Sequence, residues 1–148
     1  MGKGGKKPEE LAREKIDLAL DKAGWIIQDL EDMNIYAGQG VAVREYKLKS
    51  GHGRADYLVF ADQQPVGVLE AKPAGHPLIG VEPQTDKYAN GLPDNLDPPV
   101  APLPFLYMST GVKTGFYNLL DPKPRTREIY RIHRPETLAE WLEADALD

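Results

Sequence analysis

Asp56, Glu70 and Lys72 stand where charges are expensive. Arg54-Ala-Asp-Tyr-Leu-Val-Phe60 and Val66-Gly-Val-Leu-Glu-Ala-Lys72 are short apolar runs of the kind that form central strands, and each carries ionisable residues. At a side-chain period of two, Asp56 shares a face with Leu58 and Phe60, and Glu70 and Lys72 share one with Val66 and Val68. If the two runs are neighbours, a carboxylate on one meets a carboxylate and an ammonium on the other. Burying such groups costs several kcal/mol each unless something pairs them, and a divalent cation is the usual way to hold two carboxylates together. The bland alternative is a structural ion-pair cluster, which would need a separate reason for each charge.

The elements that would hold these residues follow from the pattern. Residues 8–23 read as an amphipathic helix, with Pro8 at its first position, Glu9 and Glu10 at the positive end of the dipole and Gly24 just past its end. Ala12, Ile16, Ala19, Leu20 and Ala23 form its buried stripe. Strands are expected over 25–28, 41–48, 53–60 and 66–72, with a polar loop or irregular turn over 29–40 and tight turns over 50–53 and 62–65. After a loop over 73–80, Pro83 opens a helix ending at Gly91. Five prolines between 91 and 104 exclude regular structure there, and a connection of that length is expected to be functional or mobile. Residues 105–110, 114–118 and 128–132 read as further strands, and Pro135 opens a last helix through Leu138, Trp141 and Leu142.

Whole-chain properties narrow the class. A length of 148 residues suits one compact domain, taken here as 8–148 behind a flexible basic arm, 1–7. The 41% hydrophobic and 28% charged composition is that of an ordinary globular protein. There are no cysteines, so disulfides and thiolate metal sites are excluded, and no apolar run is long enough to span a membrane. A cytoplasmic location is expected. The net charge of −5 is concentrated in the acidic stretch 136–148, and without it the charges balance. Basic residues gather at Arg44, Lys47, Lys49 and Arg54, and again at Lys123, Arg125, Arg127, Arg131 and Arg134. Lys47, Lys49, Arg54, Arg125 and Arg127 are the candidate DNA-phosphate contacts, set against the reading of a solvated face. His52, His76 and His133 show no metal-ligand spacing, and Gly111-Val-Lys-Thr114 lacks the glycine a phosphate loop requires, so there is no ATPase motif.

The spacing Asp, thirteen residues, Glu, one residue, Lys resembles the D…ExK signature of the PD-(D/E)xK nuclease superfamily, whose αβββαβ core matches the expected element order. Longer stretches resemble the R (restriction) subunit of type I restriction–modification enzymes. They are Glu9…Arg13…Ile16-Asp17…Leu20…Ala23-Gly24-Trp25 in the first helix, Gly53-Arg-Ala-Asp-Tyr57, Leu69-Glu-Ala-Lys72, and Gln84 with Tyr88 as the Q-x3-Y element.

The resemblance covers about 9–120 and implies the N-terminal nuclease domain of such a subunit. The fold class would be α/β, a restriction-endonuclease-like PD-(D/E)xK core with a mixed central β-sheet flanked by helices. The ATP-driven motor would lie C-terminal to it, so the chain is expected to be a fragment, with ATP used only by that motor. Asp56, Glu70 and the Ala71 carbonyl would hold Mg²⁺, with Mn²⁺ able to substitute. Lys72 would position or deprotonate the attacking water, or neutralise charge developing on the phosphate. Gln84 and Tyr88, on one helix face, would orient Lys72 or a DNA phosphate, and Glu9 is the first-helix acid best placed to help the metal. The implied partners are double-stranded DNA and the modification and specificity subunits, with no membrane. Two rivals remain: a stand-alone PD-(D/E)xK repair or recombination nuclease, and a non-catalytic DNA-binding or docking module on the same fold.

Overall fold

A computed structural model describes residues 5–78 and 91–147. Helix α1 (Pro8–Lys22) leads through Gly24 into β1 (Ile26–Asp29), and β2 (Gly40–Lys47), β3 (Arg54–Ala61) and β4 (Gln64–Ala71) follow. After the proline-rich stretch come β5 (Phe105–Ser109), β6 (Thr114–Asn118), β7 (Arg127–Ile129) and α2 (Pro135–Ala146). The seven strands form one mixed sheet in sequence order, parallel at β1–β2 and β4–β5 and antiparallel elsewhere. The expected helix opened by Pro83 lies outside the described residues, together with Gln84 and Tyr88.

Two apolar layers sandwich the sheet. On one face Ala12, Ile16 and Leu20 of α1 and Leu138 of α2 pack against Ala42, Tyr57, Leu69, Phe105 and Phe116. The stripe read from helical spacing is thus the stripe that is buried. The other face joins Val41, Val43, Leu58, Phe60, Val68, Leu106 and Met108, covered by Leu30, Met33, Ile35, Leu92, Leu96 and Leu103. The proline-rich stretch therefore has a packing role: it carries no regular structure, but Leu103 is fully buried and its other leucines roof the second layer. Residues 29–40 likewise contain a turn of 3-10 helix, Leu30–Asp32, whose neighbours Met33 and Ile35 reach the same layer.

Strand alternation fails at three places: the β3–β4 turn, β2, and Asp56 on β3, whose carboxylate meets Arg13 of α1 while Leu58 and Phe60, its expected face-mates, lie in the opposite layer with Ala55. Asp62 and Gln63, both at positive φ, make the whole β3–β4 turn, so Pro65 belongs to β4 opposite Phe60. The register slips between Val59 and Phe60, and the extra residue sends Val66 to the helix-covered layer while Val68 faces the other. The expected common face of Val66 with Val68 is thus broken by a β-bulge.

The second exception is in β2. Arg44 reaches Asp17 on α1, but Tyr46, two residues on, packs in the opposite layer. Between them Glu45 adopts φ +54, a conformation non-glycine residues visit rarely, and its side chain also reaches α1.

Two glycines allow close approaches that set the strands around the site. A Cβ on Gly67 would lie 2.2 Å from the Phe105 carbonyl oxygen, so β4 and β5 can pair this closely only with glycine there. Gly111, at φ +85 in the β5–β6 turn, lies against α1: a Cβ would come within 2.9 Å of the Ala12 carbonyl oxygen. That turn is tied internally by Ser109 Oγ to Thr114 Oγ1 at 2.8 Å and by the Lys113 N–H donating to Thr110 Oγ1 at 3.0 Å.

Candidate active site

The ladder joining β3 to β4 ends at Tyr57↔Leu69, while β4 stays paired to β5 through Glu70↔Met108 and Ala71↔Ser109. The Lys72 N–H continues that pairing, donating to the Ser109 carbonyl at 2.8 Å. The sheet forks at this point. Across the fork the Ala71 N–H donates to Asp56 Oδ2 at 2.8 Å, so the Asp56 side chain takes the place of a backbone partner. This bond fixes one motif carboxylate against the ExK strand.

Asp56 is largely buried, with 15% of its side chain exposed, and Glu70 is 7% exposed with Oε1 out of solvent. Lys72 is half-buried, and among the described residues its ammonium forms no ion pair. Two screened carboxylates thus lie on the two strands of the fork that the sequence assigned to them, and Lys72 follows directly after the last residue of β4. Their oxygen donors suit a hard divalent cation.

The residue of the first helix that reaches this site is Arg13. Its Nη2 donates to Asp56 Oδ1 at 2.5 Å and its Nη1 donates to Glu45 Oε1. Burial opposes the guanidinium charge, but the hydrogen bond to Glu45 and the attraction of Asp56 and Glu45 outweigh it, and the pKa is raised. Glu9, one turn earlier, is exposed in the first turn of α1, and no hydrogen bond or ion pair of its own ties it to Asp56 among the described residues.

Next to this bridge, the Tyr57 hydroxyl donates to Asp17 Oδ1 at 2.6 Å, and Arg44 joins Asp17 and Asp29. Burial, then the bond to Asp17, raises the Tyr57 pKa, so it remains a donor. Arg13 and Asp17 are in the first-helix segment that carries the resemblance, and Glu45 had no signal beyond being an acid in an apolar strand.

The other predicted residues fall apart into two sets. Lys47 and Arg54 are register partners on β2 and β3, and Lys49 follows, paired to Asp94 at 2.8 Å. Arg54 lies 3.8 Å from Glu45 Oε2. Arg125 and Arg127 lie at the other side of the sheet, on and before β7, with Arg127 3.6 Å from Asp121. The three histidines are engaged elsewhere: His52 with the Ser50 carbonyl, His76 with that of Pro77 and His133 with the Tyr107 hydroxyl. Among the described residues, the three-acid group compact enough for an ion is Asp29, Glu31 and Asp32, all exposed and separate from the motif, with Asp29 already held by Arg44.

The fold and the forked motif strands define a restriction-endonuclease-like α/β domain. Residues 31–101, which take in both motif strands, match the family model described as the type I restriction enzyme EcoKI endonuclease subunit second domain. The fold is similar to a solved structure described as an HsdR-subunit fragment of a type I restriction enzyme from Vibrio vulnificus YJ016. The TM-score is 0.67 at 21% identity, over 95% of this chain and 26% of that one. The present chain thus spans about a quarter of the length of that relative. No curated protein matches. These findings bear out the resemblance seen in the motifs: the chain is similar to the N-terminal nuclease domain of the R subunit of type I restriction enzymes. No helix among the described residues is long and apolar enough to cross a membrane.

Proposed function

We propose that this chain is a metal-dependent DNA endonuclease domain acting within a type I restriction–modification enzyme. The observation that carries this reading is the fork between β3 and β4. There the Ala71 N–H locks Asp56 against the strand bearing Glu70 and Lys72. Asp56, Glu70 and the Ala71 carbonyl would hold Mg²⁺ or Mn²⁺. The bound ion would polarise the scissile phosphate and lower the pKa of a water. Lys72, two residues beyond Glu70 and just past the end of β4, would position or deprotonate that water, or offset charge developing on the phosphate. Gln84 and Tyr88 would orient Lys72 or a phosphate, and Glu9 would help the metal from the first helix.

Duplex DNA is the proposed substrate, approached through Lys47, Lys49, Arg54, Arg125 and Arg127. These are phosphate contacts, which position a duplex without reading its sequence. Site recognition would fall to a specificity subunit, methylation to a modification subunit and ATP hydrolysis to a motor elsewhere in the R subunit. A cytoplasmic location accords with that assembly.

The test is thermal melting and calorimetric titration with Mg²⁺ and Mn²⁺ at millimolar concentration. A ligand that binds only the folded state stabilises it by mass action, by about 2.7 kcal/mol at a hundredfold excess over Kd. The wild type gains stability, and Asp56→Ala and Glu70→Ala lose the gain. Both variants responding like wild type would place the metal elsewhere. A wild type that binds DNA but no metal would favour the non-catalytic module.

A further inference from the structure

Glu45 and Asp56 sit side by side on neighbouring strands, between the register pairs Arg44↔Tyr57 and Tyr46↔Ala55. Like charges in such adjacent positions are destabilising, more so when partly buried. The sequence meets this with a single guanidinium from α1: one Nη of Arg13 donates to each carboxylate. The arrangement is built deliberately enough to hold Glu45 in a positive-φ conformation, which aims its carboxylate at the helix. Arg13 Nε, meanwhile, is buried without a hydrogen-bond partner, so the side chain is placed for its two terminal contacts alone. Asp56 is the carboxylate that the proposed metal site needs, and its Oδ1 is the atom Arg13 occupies.

We propose that Arg13 is a stand-in cation: it neutralises Asp56 and Glu45 in the metal-free protein and competes with the divalent ion for Asp56. This rests on the metal-site reading above and adds a residue outside the D…ExK motif that sets the affinity of that site. Arg13 keeps Asp56 in its forked position before metal arrives, at the expense of weaker metal binding. A metal would have to share or displace the Nη2 contact. The freed guanidinium would keep Glu45 as its partner, so the displaced charge stays compensated. Arg54, 3.8 Å from the other oxygen of Glu45, supports the same exchange.

The experiment compares the 148-residue wild type with Arg13→Met, Arg13→Lys and Glu45→Gln, by melting without metal and by titration with Mn²⁺ alone. Removing a unit charge a few ångströms from the ion changes affinity by about tenfold or more at the effective dielectric of a protein surface. Arg13→Met should melt lower than wild type without metal, yet bind Mn²⁺ about tenfold more tightly. Arg13→Lys keeps the charge and should bind within about threefold of wild type. Glu45→Gln leaves Arg13 to Asp56 alone and should weaken Mn²⁺ binding, a readout that stands if Arg13→Met does not fold.

Unchanged or weaker binding by Arg13→Met, or unchanged binding by Glu45→Gln, overturns the stand-in role. In metal-free melts the loss caused by Arg13→Met should shrink when Asp56→Asn and Glu45→Gln are already present. A wild type that binds no Mn²⁺ while that coupling persists overturns the metal site itself, and the competition with it. That outcome is distinct from a site that binds metal without heeding Arg13.

Discussion

Asp56 receives a backbone donor on one oxygen and a guanidinium on the other, and Glu70 is buried beside it on the next strand. Lys72 differs from both: it is half-buried, and its backbone, not its ammonium, makes its described contact. That difference separates its role from theirs. Lys72→Ala should keep wild-type metal binding by calorimetry but lower cleavage by two or more orders of magnitude in the full assembly, in the range typical of a lost acid–base or charge-stabilising group. Normal cleavage would remove Lys72 from the mechanism, and failure to fold would point to a structural ion-pair role. The placement of Asp56 and Glu70 on central strands was legible in the sequence because each charge interrupts an apolar run. Arg13 and Glu45 were not legible as partners. Their meeting depends on the angle of α1 over the sheet and on one positive-φ residue that upsets the alternation, and neither leaves a periodic trace.

The elements themselves followed closely from apolar spacing, turn residues and proline at helix starts. The errors fell where backbone irregularity changes which face a residue takes, as at Val66 beyond the bulge. The proline content of 91–104 correctly excluded helix and strand, but composition could not show that Leu92, Leu96 and Leu103 cover a sheet face. Close approach of β4 to β5 gives a direct test. Gly67→Ala would force the Phe105 backbone to move, and overpacking of this kind costs about 1–3 kcal/mol, a drop in Tm of several degrees for a chain of this size. An unchanged Tm would mean the strands are not held this closely.

The segment leading into α2 gives a second test at this scale. His133 is packed among Tyr107, Phe116 and Trp141, its Nδ1 is 2.8 Å from the Tyr107 hydroxyl, and burial lowers its pKa. A histidine held neutral in the folded state binds fewer protons there than when unfolded. Its contribution is therefore complete above the unfolded pKa of about 6.5 and is lost as pH falls below it. Melting between pH 7.5 and 5.5 should show a decline that is reduced in His133→Gln. An equal decline in both would assign it to other groups.

At the scale of the whole molecule, the basic residues do not form one surface. Lys47, Lys49 and Arg54 lie at the β2–β3 end near the fork, and Arg125 and Arg127 lie by β7, four strand spacings from β3, about 19 Å at the usual inter-strand separation. Several of these cations already face acids: Lys49 faces Asp94, Arg54 faces Glu45 and Arg127 faces Asp121. The net charge of −5 adds a repulsive background. Few condensed counterions can be released by such a surface, and each phosphate neutralised on B-DNA contributes about −0.9 to the slope of log K against log salt. The 148-residue chain should therefore bind random duplexes weakly, with a slope of only about −2 to −4, and cut them poorly. Reversing Lys47 and Lys49 together, or Arg125 and Arg127 together, should flatten the slope by about one or two without creating sequence preference. A motor that delivers DNA to the site raises its local concentration, so weak intrinsic binding is compatible with efficient cleavage in an assembly. Tight binding to one particular sequence, little affected by salt, would overturn the division between cleavage and recognition and favour the stand-alone nuclease.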